Sequence, residues 1–189
     1  MKKNFFQLIL FALIFMTAST VFAAKETPDQ LRAKLDNMST QVLERMYQKF
    51  PSAERVIKNS YAYCTISASS IKWGFLGDDR GRGVAVNNQT GKRIYVKMKE
   101  LSLGVSFGAK EYDLLFVIYD KTAWDRFISG NIKFGTEVSA QASDGVNGDA
   151  FADATIVANG VWVYQLDKKG LAVEFSLKGA KISPYKNLN

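Results

Sequence analysis

The sequence predicts an α+β fold, an antiparallel β-sheet or sandwich-like core with an N-terminal amphipathic helix and a short mid-chain helix. Apolar residues recur every three or four positions between residues 28 and 50, which is the period of a helix. From residue 61 onward the period is two, which is the period of a strand. Too few helices remain to provide the crossovers of a parallel sheet, so the strands are expected to pair antiparallel.

The N-terminal helix is predicted from its ends as well as from its period. Thr27 is a capping residue, Pro28 suits the first turn, and Pro51 ends the helix. One apolar stripe runs along it: Leu31, Leu35, Met38, Val42, Met46 and Phe50. The opposite face mixes acidic and basic residues, which favours a helix docked on the core over one inserted in a membrane, whose polar face would be more uniformly basic. A second, short helix is predicted over residues 52–58.

Strand-like runs separated by glycine and asparagine turns make up most of the remaining chain. They cover residues 62–68, 83–87, 93–98, 101–107, 112–119, 133–139, 154–158, 161–166 and 171–177. Residues 114–118 are apolar without a break, which predicts a central strand covered on both faces. The mid-chain helix is expected over 121–129, capped by Asp120 and stopped by Gly130. Glycines between positions 74 and 83 predict turns, and residues 139–153 predict a long polar loop.

The first 23 residues have the composition of a secretory signal peptide. Lys2 and Lys3 precede an apolar run, and Val21 and Ala23 occupy the positions that a signal peptidase reads. We therefore expect cleavage between Ala23 and Ala24 and a periplasmic or secreted protein, with an uncleaved membrane anchor as the alternative. Residues 24–189 are then one domain, with a helical segment over 24–58 and a β-rich core over 61–189.

The composition argues against most catalytic chemistry. The chain has no histidine, the commonest general base and metal ligand, and its single cysteine cannot form an internal disulfide. We therefore predict that the protein is not an enzyme and holds no cofactor or metal, and that Cys64 is buried in a strand. The oxygen-bearing residues of the 139–153 loop suggest a calcium site, but their spacing matches no known calcium loop, so a solvated loop is the preferred interpretation: Asp144, Asn147, Asp149 and Asp153.

Positive charge is concentrated in one segment. Seven basic and two acidic residues lie between positions 70 and 99, and the basic ones are Lys72, Arg80, Arg82, Lys92, Arg93, Lys97 and Lys99. If these side chains share one side of the domain, they predict salt-sensitive binding to anionic phospholipid at a membrane surface. An ordinary solvated hairpin is the alternative. Nucleic acid is not expected as a partner, because basic and aromatic residues do not interleave as they do in strand-binding grooves.

Several motifs resemble one known family. Gly108-Ala109-Lys110-Glu111-Tyr112-Asp113-Leu114 is followed by Asp120-Lys121-Thr122-Ala123 with Arg126-Phe127-Ile128, and then by Tyr164-Gln165-Leu166, Lys168-Lys169-Gly170-Leu171-Ala172 and Leu177-Lys178-Gly179-Ala180-Lys181. Together with the glycines at 74, 77, 81 and 83, they make the chain similar to the SYLF lipid-binding domain family, which is also known as an actin-binding domain of a yeast actin-patch protein. The family's apolar-Phe-Pro element is replaced by Tyr63-Cys64-Thr65-Ile66, which indicates a divergent member.

The resemblance implies lipid binding, because eukaryotic relatives bind phosphoinositides and one branch binds actin. The predicted function is therefore association with anionic phospholipid at an envelope membrane surface through the basic segment. A structural or protein-interaction role in the envelope is the alternative, using the 139–153 loop or Trp162 and Tyr164 as exposed aromatic residues.

Overall fold

The computed structural model describes residues 26–74, 76–100, 106–132, 134, 151, 153–171, 177 and 180–189, with backbone only for residues 70–79, 100 and 106–110. The helices are α1 (Pro28–Lys49), α2 (Pro51–Asn59) and α3 (Lys121–Ser129), and a 3₁₀ turn spans Lys186–Leu188. The strands are β1 (Ala62–Gly74), β2 (Leu76–Asn87), β3 (Arg93–Glu100), β4 (Ser106–Ile118), β5 (Thr155–Ala158), β6 (Val161–Asp167) and β7 (Lys181–Pro184).

Helix α1 begins and ends where the sequence predicts. The Thr27 hydroxyl accepts from the Gln30 backbone N–H, and the Gln30 side chain accepts from the Thr27 N–H, so the two residues form a capping box. Phe50 follows its last turn, and Pro51 begins α2. Leu35, Val42, Met46 and Phe50 of the predicted stripe are buried, which confirms that the helix is docked on the core.

The seven strands of the described residues form one antiparallel sheet in the order β5-β6-β4-β1-β2-β3-β7. Residues from both ends of this order, Val163 of β6 and Ile182 of β7, share a single apolar cluster with Phe127 of α3. The sheet is therefore curled around α3, which fills its concave face. The predicted α+β class is confirmed, with one curled sheet as its core.

The convex face of the sheet is covered by α1 and α2. Met46 and Phe50 pack with Leu115 of β4 and Tyr164 of β6. Leu35, which is closer to the start of α1, packs with Val84 of β2 and Tyr95 of β3. Residues 114–118 are fully buried because β4 is sandwiched between these helices and α3, as the unbroken apolar run predicts. Cys64 is fully buried as well, on the concave side, and burial raises the pKa of its thiol well above the usual range.

The expected glycine turns between positions 74 and 83 are wrong in part. Gly81 and Gly83 lie inside β2, where they pair with Ala68 and Ile66 of β1. A Cβ on Gly81 would lie 2.7 Å from Cγ2 of Ile66, and one on Gly83 would overlap the carbonyl oxygen of Thr65. These glycines are therefore needed for a close approach of two strands and not for a turn.

The expectation that Trp162 and Tyr164 are exposed is also wrong. Tyr164 is completely buried, with its ring 5.2 Å from that of Phe50, and Trp162 packs 4.7 Å from Phe151. The reason is the position of β6, which is an inner strand between β5 and β4. Phe50 packs on Tyr164, and Tyr119 and Phe151 pack on Trp162.

Some predictions fall outside the described residues. These are the signal peptide and its cleavage site, the strand over 133–139 except Phe134, most of the strands over 101–107 and 171–177, and the 139–153 loop except residues 151 and 153, which leaves Asp144, Asn147 and Asp149 out. Within the described part of the chain, no helix is both long and apolar enough to cross a bilayer.

Candidate functional site

Helix α1 crosses the convex face of the sheet, and the helices of the described residues leave the part of this face beyond it uncovered. This helix crosses above Thr65 of β1, whose hydroxyl donates to Ser39 at 2.7 Å, and above Val84 and Tyr95, which pack with Leu35. Beyond this line, toward the β1–β2 hairpin, the same face carries the exposed Ser69. The strands there continue without a helix above them among the described residues.

Four basic side chains occupy this uncovered part. Arg82 of β2 pairs with Lys97 of β3, and Arg80 pairs with Lys99 two residues farther along. All four are exposed, and they share the face of Val84 and Tyr95 because residues two apart on a strand point to the same side. Directly opposite residues have Cβ atoms about 5 Å apart. We call Arg80, Arg82, Lys97 and Lys99 the basic platform.

The alternation of glycine and arginine in β2 explains how the sequence builds the platform. Gly81 and Gly83 face the concave side, where Ile66 and Met98 leave no room for a side chain. The intervening Arg82 then points to the convex side. The same residues that allow the sheet to curl tightly therefore present the arginines to solvent.

Three charges of the platform, those of Arg82, Lys97 and Lys99, have no carboxylate partner among the described side chains. Like charges directly opposite each other on a sheet are destabilising, so this arrangement costs free energy of folding. A bound anion would relieve that repulsion.

One aromatic ring lies beside the platform. The Arg82 guanidinium carbon is 6.0 Å and the Lys97 ammonium nitrogen 5.9 Å from the ring centre of Tyr185, both at the outer limit of a cation–π contact. The ring is held in place because the Tyr185 N–H donates to the Tyr95 carbonyl at 2.8 Å, and because the Asn189 side chain exchanges two hydrogen bonds with the Tyr95 backbone. Strand β7 adds the exposed Lys181, which pairs with Lys99 at the sheet edge.

The structure separates the other three predicted residues from the platform. Lys92 is exposed in the β2–β3 turn, at the opposite end of the hairpin. Arg93 lies on the far side of α1 and binds Asp36 of that helix at 2.7 Å. Lys72 pairs with Gly77 and Gly108 near the end of the β1–β2 hairpin. Of the seven residues predicted from charge, four are brought together.

A buried carboxylate next to the platform was missed by the sequence analysis. Asp113 of β4 is fully buried, and its two oxygens accept from Arg45 of α1 and from Lys168 after β6, each at 2.6 Å. Lys168 also donates to Ser67, which pairs with Arg82 across β1 and β2. Arg45, Asp113 and Lys168 are far apart in the chain, so no local sequence pattern connects them. Only the family motifs that contain Asp113 and Lys168 drew attention to two of these residues.

Asp36 holds α1 from its other side. Its carboxylate accepts from Arg93 and from the Tyr95 hydroxyl, which lies 3.1 Å away. Burial, and next the hydrogen bond to Asp36, raise the pKa of Tyr95, so the hydroxyl remains a donor even at a pH where an exposed tyrosine begins to ionise. Ion pairs on both sides therefore fix α1 at the border of the platform. The described side chains contain no group of three residues suited to bind a metal ion.

Fold and surface together define an α+β domain with a basic sheet face that none of the described helices covers. The resemblance to the SYLF family is confirmed: residues 99–189 match the model of the Ysc84 family, described as Las17-binding protein actin regulator. The chain is also 29% identical over 157 residues to Beta cell expansion factor A of Aeromonas veronii, a match that covers 82% of this chain. It spans 58% of that relative's length. The family description is that of a binding protein.

Proposed function

We propose that this protein binds anionic phospholipid at the surface of an envelope membrane through the basic platform. The observation that carries the proposal is the pairing of Arg82 with Lys97 and of Arg80 with Lys99 on a sheet face that no described helix covers. A basic residue near an anionic membrane contributes about 1 kcal/mol, so Arg82, Lys97 and Lys99 together supply roughly 3 kcal/mol before screening by salt. Binding of this strength is weak, reversible and sensitive to ionic strength.

The compartment is part of the same proposal. A signal peptide over residues 1–23 would place the platform opposite the anionic lipids of a bacterial envelope. The mass of the intact protein from an envelope fraction tests this, because cleavage between Ala23 and Ala24 removes 23 residues. A mass that retains them would mean a protein anchored by its N-terminus.

Co-sedimentation with vesicles tests the lipid proposal. We expect the protein to pellet with vesicles of equal parts phosphatidylglycerol and phosphatidylcholine, to pellet much less with phosphatidylcholine alone, and to be released by half-molar salt. Equal binding to both vesicles, or binding that resists the salt, would show that the platform is not the recognition element.

A protein partner is the second candidate, favoured by the family description, which names the binding of a protein. Failure to bind either vesicle, combined with a specific crosslinked protein in intact cells that disappears when Arg82 and Lys97 are replaced by glutamine, would support it.

A further inference from the structure

The hydroxyl of Ser67 is a directed hydrogen-bond donor beside the basic platform. Ser67 is half-buried on β1, and its oxygen lies 2.7 Å from the ammonium nitrogen of Lys168. A lysine ammonium only donates, so the Ser67 oxygen must be the acceptor in this contact. The proton of the hydroxyl is then left for another acceptor, and no described residue provides one.

The strand register places this hydroxyl next to two cations of the platform. Ser67 of β1 pairs with Arg82 of β2, which pairs in turn with Lys97 of β3. Adjacent strands are about 4.8 Å apart, so the three residues span about 10 Å across the sheet. The long side chains of Arg82 and Lys97 can turn toward an anion held at Ser67. We call Ser67, Arg82 and Lys97 the serine row.

The acidic residue beside the serine row is neutralised. Asp113 of β4 pairs with Ser67 on the side away from Arg82. It is fully buried, and it lies 2.6 Å from Arg45 and 2.6 Å from Lys168. With two cations around it, this carboxylate does not repel an anion at Ser67. It also holds Lys168 in the position from which Lys168 donates to the Ser67 oxygen.

The residues two positions farther along the strands lack this arrangement. Ser69 pairs with Arg80 on one side and with Glu111 on the other. Glu111 is exposed, and it forms no ion pair with any side chain that the structure describes. Its charge opposes the binding of an anion at Ser69. Only the serine row therefore combines an oriented hydroxyl with cations and a neutralised acid.

A phosphate group suits these three donors better than a carboxylate does. The oxygens of a phosphate point toward the corners of a tetrahedron, so a hydroxyl from one strand and cations from the next two can each reach one. The two oxygens of a carboxylate lie in one plane, and a single arginine fork already satisfies them. A hydrogen bond from a hydroxyl to an ionised oxygen is also stronger than one between neutral groups.

We propose that the serine row is a discrete site for the phosphate group of a lipid, in which Lys168, held by Asp113, orients the Ser67 hydroxyl toward the phosphate. This inference rests on the proposed lipid binding and deepens it. The platform then recognises phosphate, and not negative charge alone.

Vesicles that differ only in their anionic group test the recognition of phosphate. Phosphatidylglycerol and cholesteryl hemisuccinate, whose charge is a carboxylate, are each mixed with a neutral galactolipid that contains no phosphate. The two mixtures are matched in zeta potential. We expect the protein to bind the phosphatidylglycerol vesicles about tenfold more tightly, because only they accept the charge-assisted hydrogen bond from Ser67.

Serine variants assign the preference to the proposed site. Ser67→Ala should bind the two kinds of vesicle with equal affinity, whereas Ser67→Thr keeps a hydroxyl and should keep most of the preference. Ser69→Ala is the matched control, because Ser69 is an exposed serine two residues away on the same strand face, and it should bind like the wild type. Circular dichroism and the melting temperature check that the variants fold. A Ser67→Ala protein that retains the full preference would overturn the inference.

The outcomes separate this inference from the lipid proposal. Equal affinity of the wild type for both kinds of vesicle would mean that charge alone attaches the protein, and the inference would be wrong while the proposed function stands. Absence of binding to either vesicle would overturn the proposed function. Glycerol phosphate is then titrated while the amide chemical shifts of Ser67 and Arg82 are followed. Saturable shifts that Ser67→Ala abolishes would assign the site to a free phosphate ester, and unchanged shifts would overturn the inference as well.

Discussion

The guanidinium of Arg45 lies 2.6 Å from the carboxylate of Asp113, which is fully buried beneath α1. Lys168 contacts the other oxygen of the same carboxylate at the same distance. One buried acid therefore joins α1, β4 and the turn after β6 at the border of the platform. Both cations are about one-third exposed, so the cluster is only partly shielded from water.

Removing both cations should destabilise the protein far more than removing either one. The double variant Arg45→Met/Lys168→Met leaves Asp113 buried without a countercharge, which costs about 3–5 kcal/mol, whereas each single variant leaves one partner and should cost less than half of that. Urea denaturation measures the loss. Adding Asp113→Asn should restore most of the stability. If each single variant loses little stability and the two losses add up to that of the double variant, water must reach the carboxylate of Asp113.

Gly83 should not tolerate even one added methyl group. A Cβ at this position would overlap the carbonyl oxygen of Thr65, so Gly83→Ala must push β1 and β2 apart and should cost about 3 kcal/mol or more. Gly91→Ala is the control, because Gly91 has a positive φ but no atom within 4 Å of the added carbon, and should cost about 1 kcal/mol. Equal melting temperatures for the two variants would contradict the close approach.

The thiol of Cys64 should be unreactive in the folded protein. It is completely buried, and the thiolate that reacts with maleimide is disfavoured there. Labelling should be negligible without denaturant and stoichiometric with it. Rapid labelling of the native protein would show that β1 opens or that the thiol is accessible.

The same burial predicts a loss of stability at alkaline pH. The folded-state pKa of Cys64 is raised above its ordinary value of 9.0, so its contribution to stability is complete below pH 9 and is lost as the pH rises above it. Burial also raises the pKa of Tyr47 to about 12, which adds to the loss above about pH 10. Between about pH 8 and about pH 10, the free energy of unfolding should therefore fall more for the wild type than for Cys64→Ala. Parallel pH profiles would contradict this.

Local signals predicted the elements that local forces determine. The period, cap and flanking prolines of α1 set its bounds, and the unbroken apolar run of β4 indicated its burial. Gly81 and Gly83 were interpreted wrongly as turn residues. A close approach between two strands requires glycines just as a turn does, and the sequence alone does not distinguish the two because the approach depends on tertiary structure. Strand β7 was missed, since it is four residues long and ends in Pro184.

The basic platform was predicted only in part for a similar reason. Helix α1 crosses the hairpin between Arg93 and Lys97, and its residue Asp36 binds Arg93. A count of charges along the segment 70–99 cannot show this separation. The strand register selects Arg80, Arg82, Lys97 and Lys99, and this register became visible only with the pairing of β2 and β3. Asp113 was not assigned a role, because its partners lie 68 and 55 positions away.

The most direct test of the account compares two variants that lose the same positive charge. One is Arg82→Gln/Lys97→Gln/Lys99→Gln on the platform, and the other is Lys58→Gln/Lys92→Gln/Lys121→Gln, whose exposed lysines lie on α2, in the β2–β3 turn and on α3. The surface ion pairs lost in the second variant contribute little to stability. In low salt, the affinity for vesicles of equal parts phosphatidylglycerol and phosphatidylcholine should fall about 10- to 100-fold for the platform variant, and by less than about threefold for the other. Equal losses for the two variants would show that net charge, and not the platform, attaches this protein to the membrane.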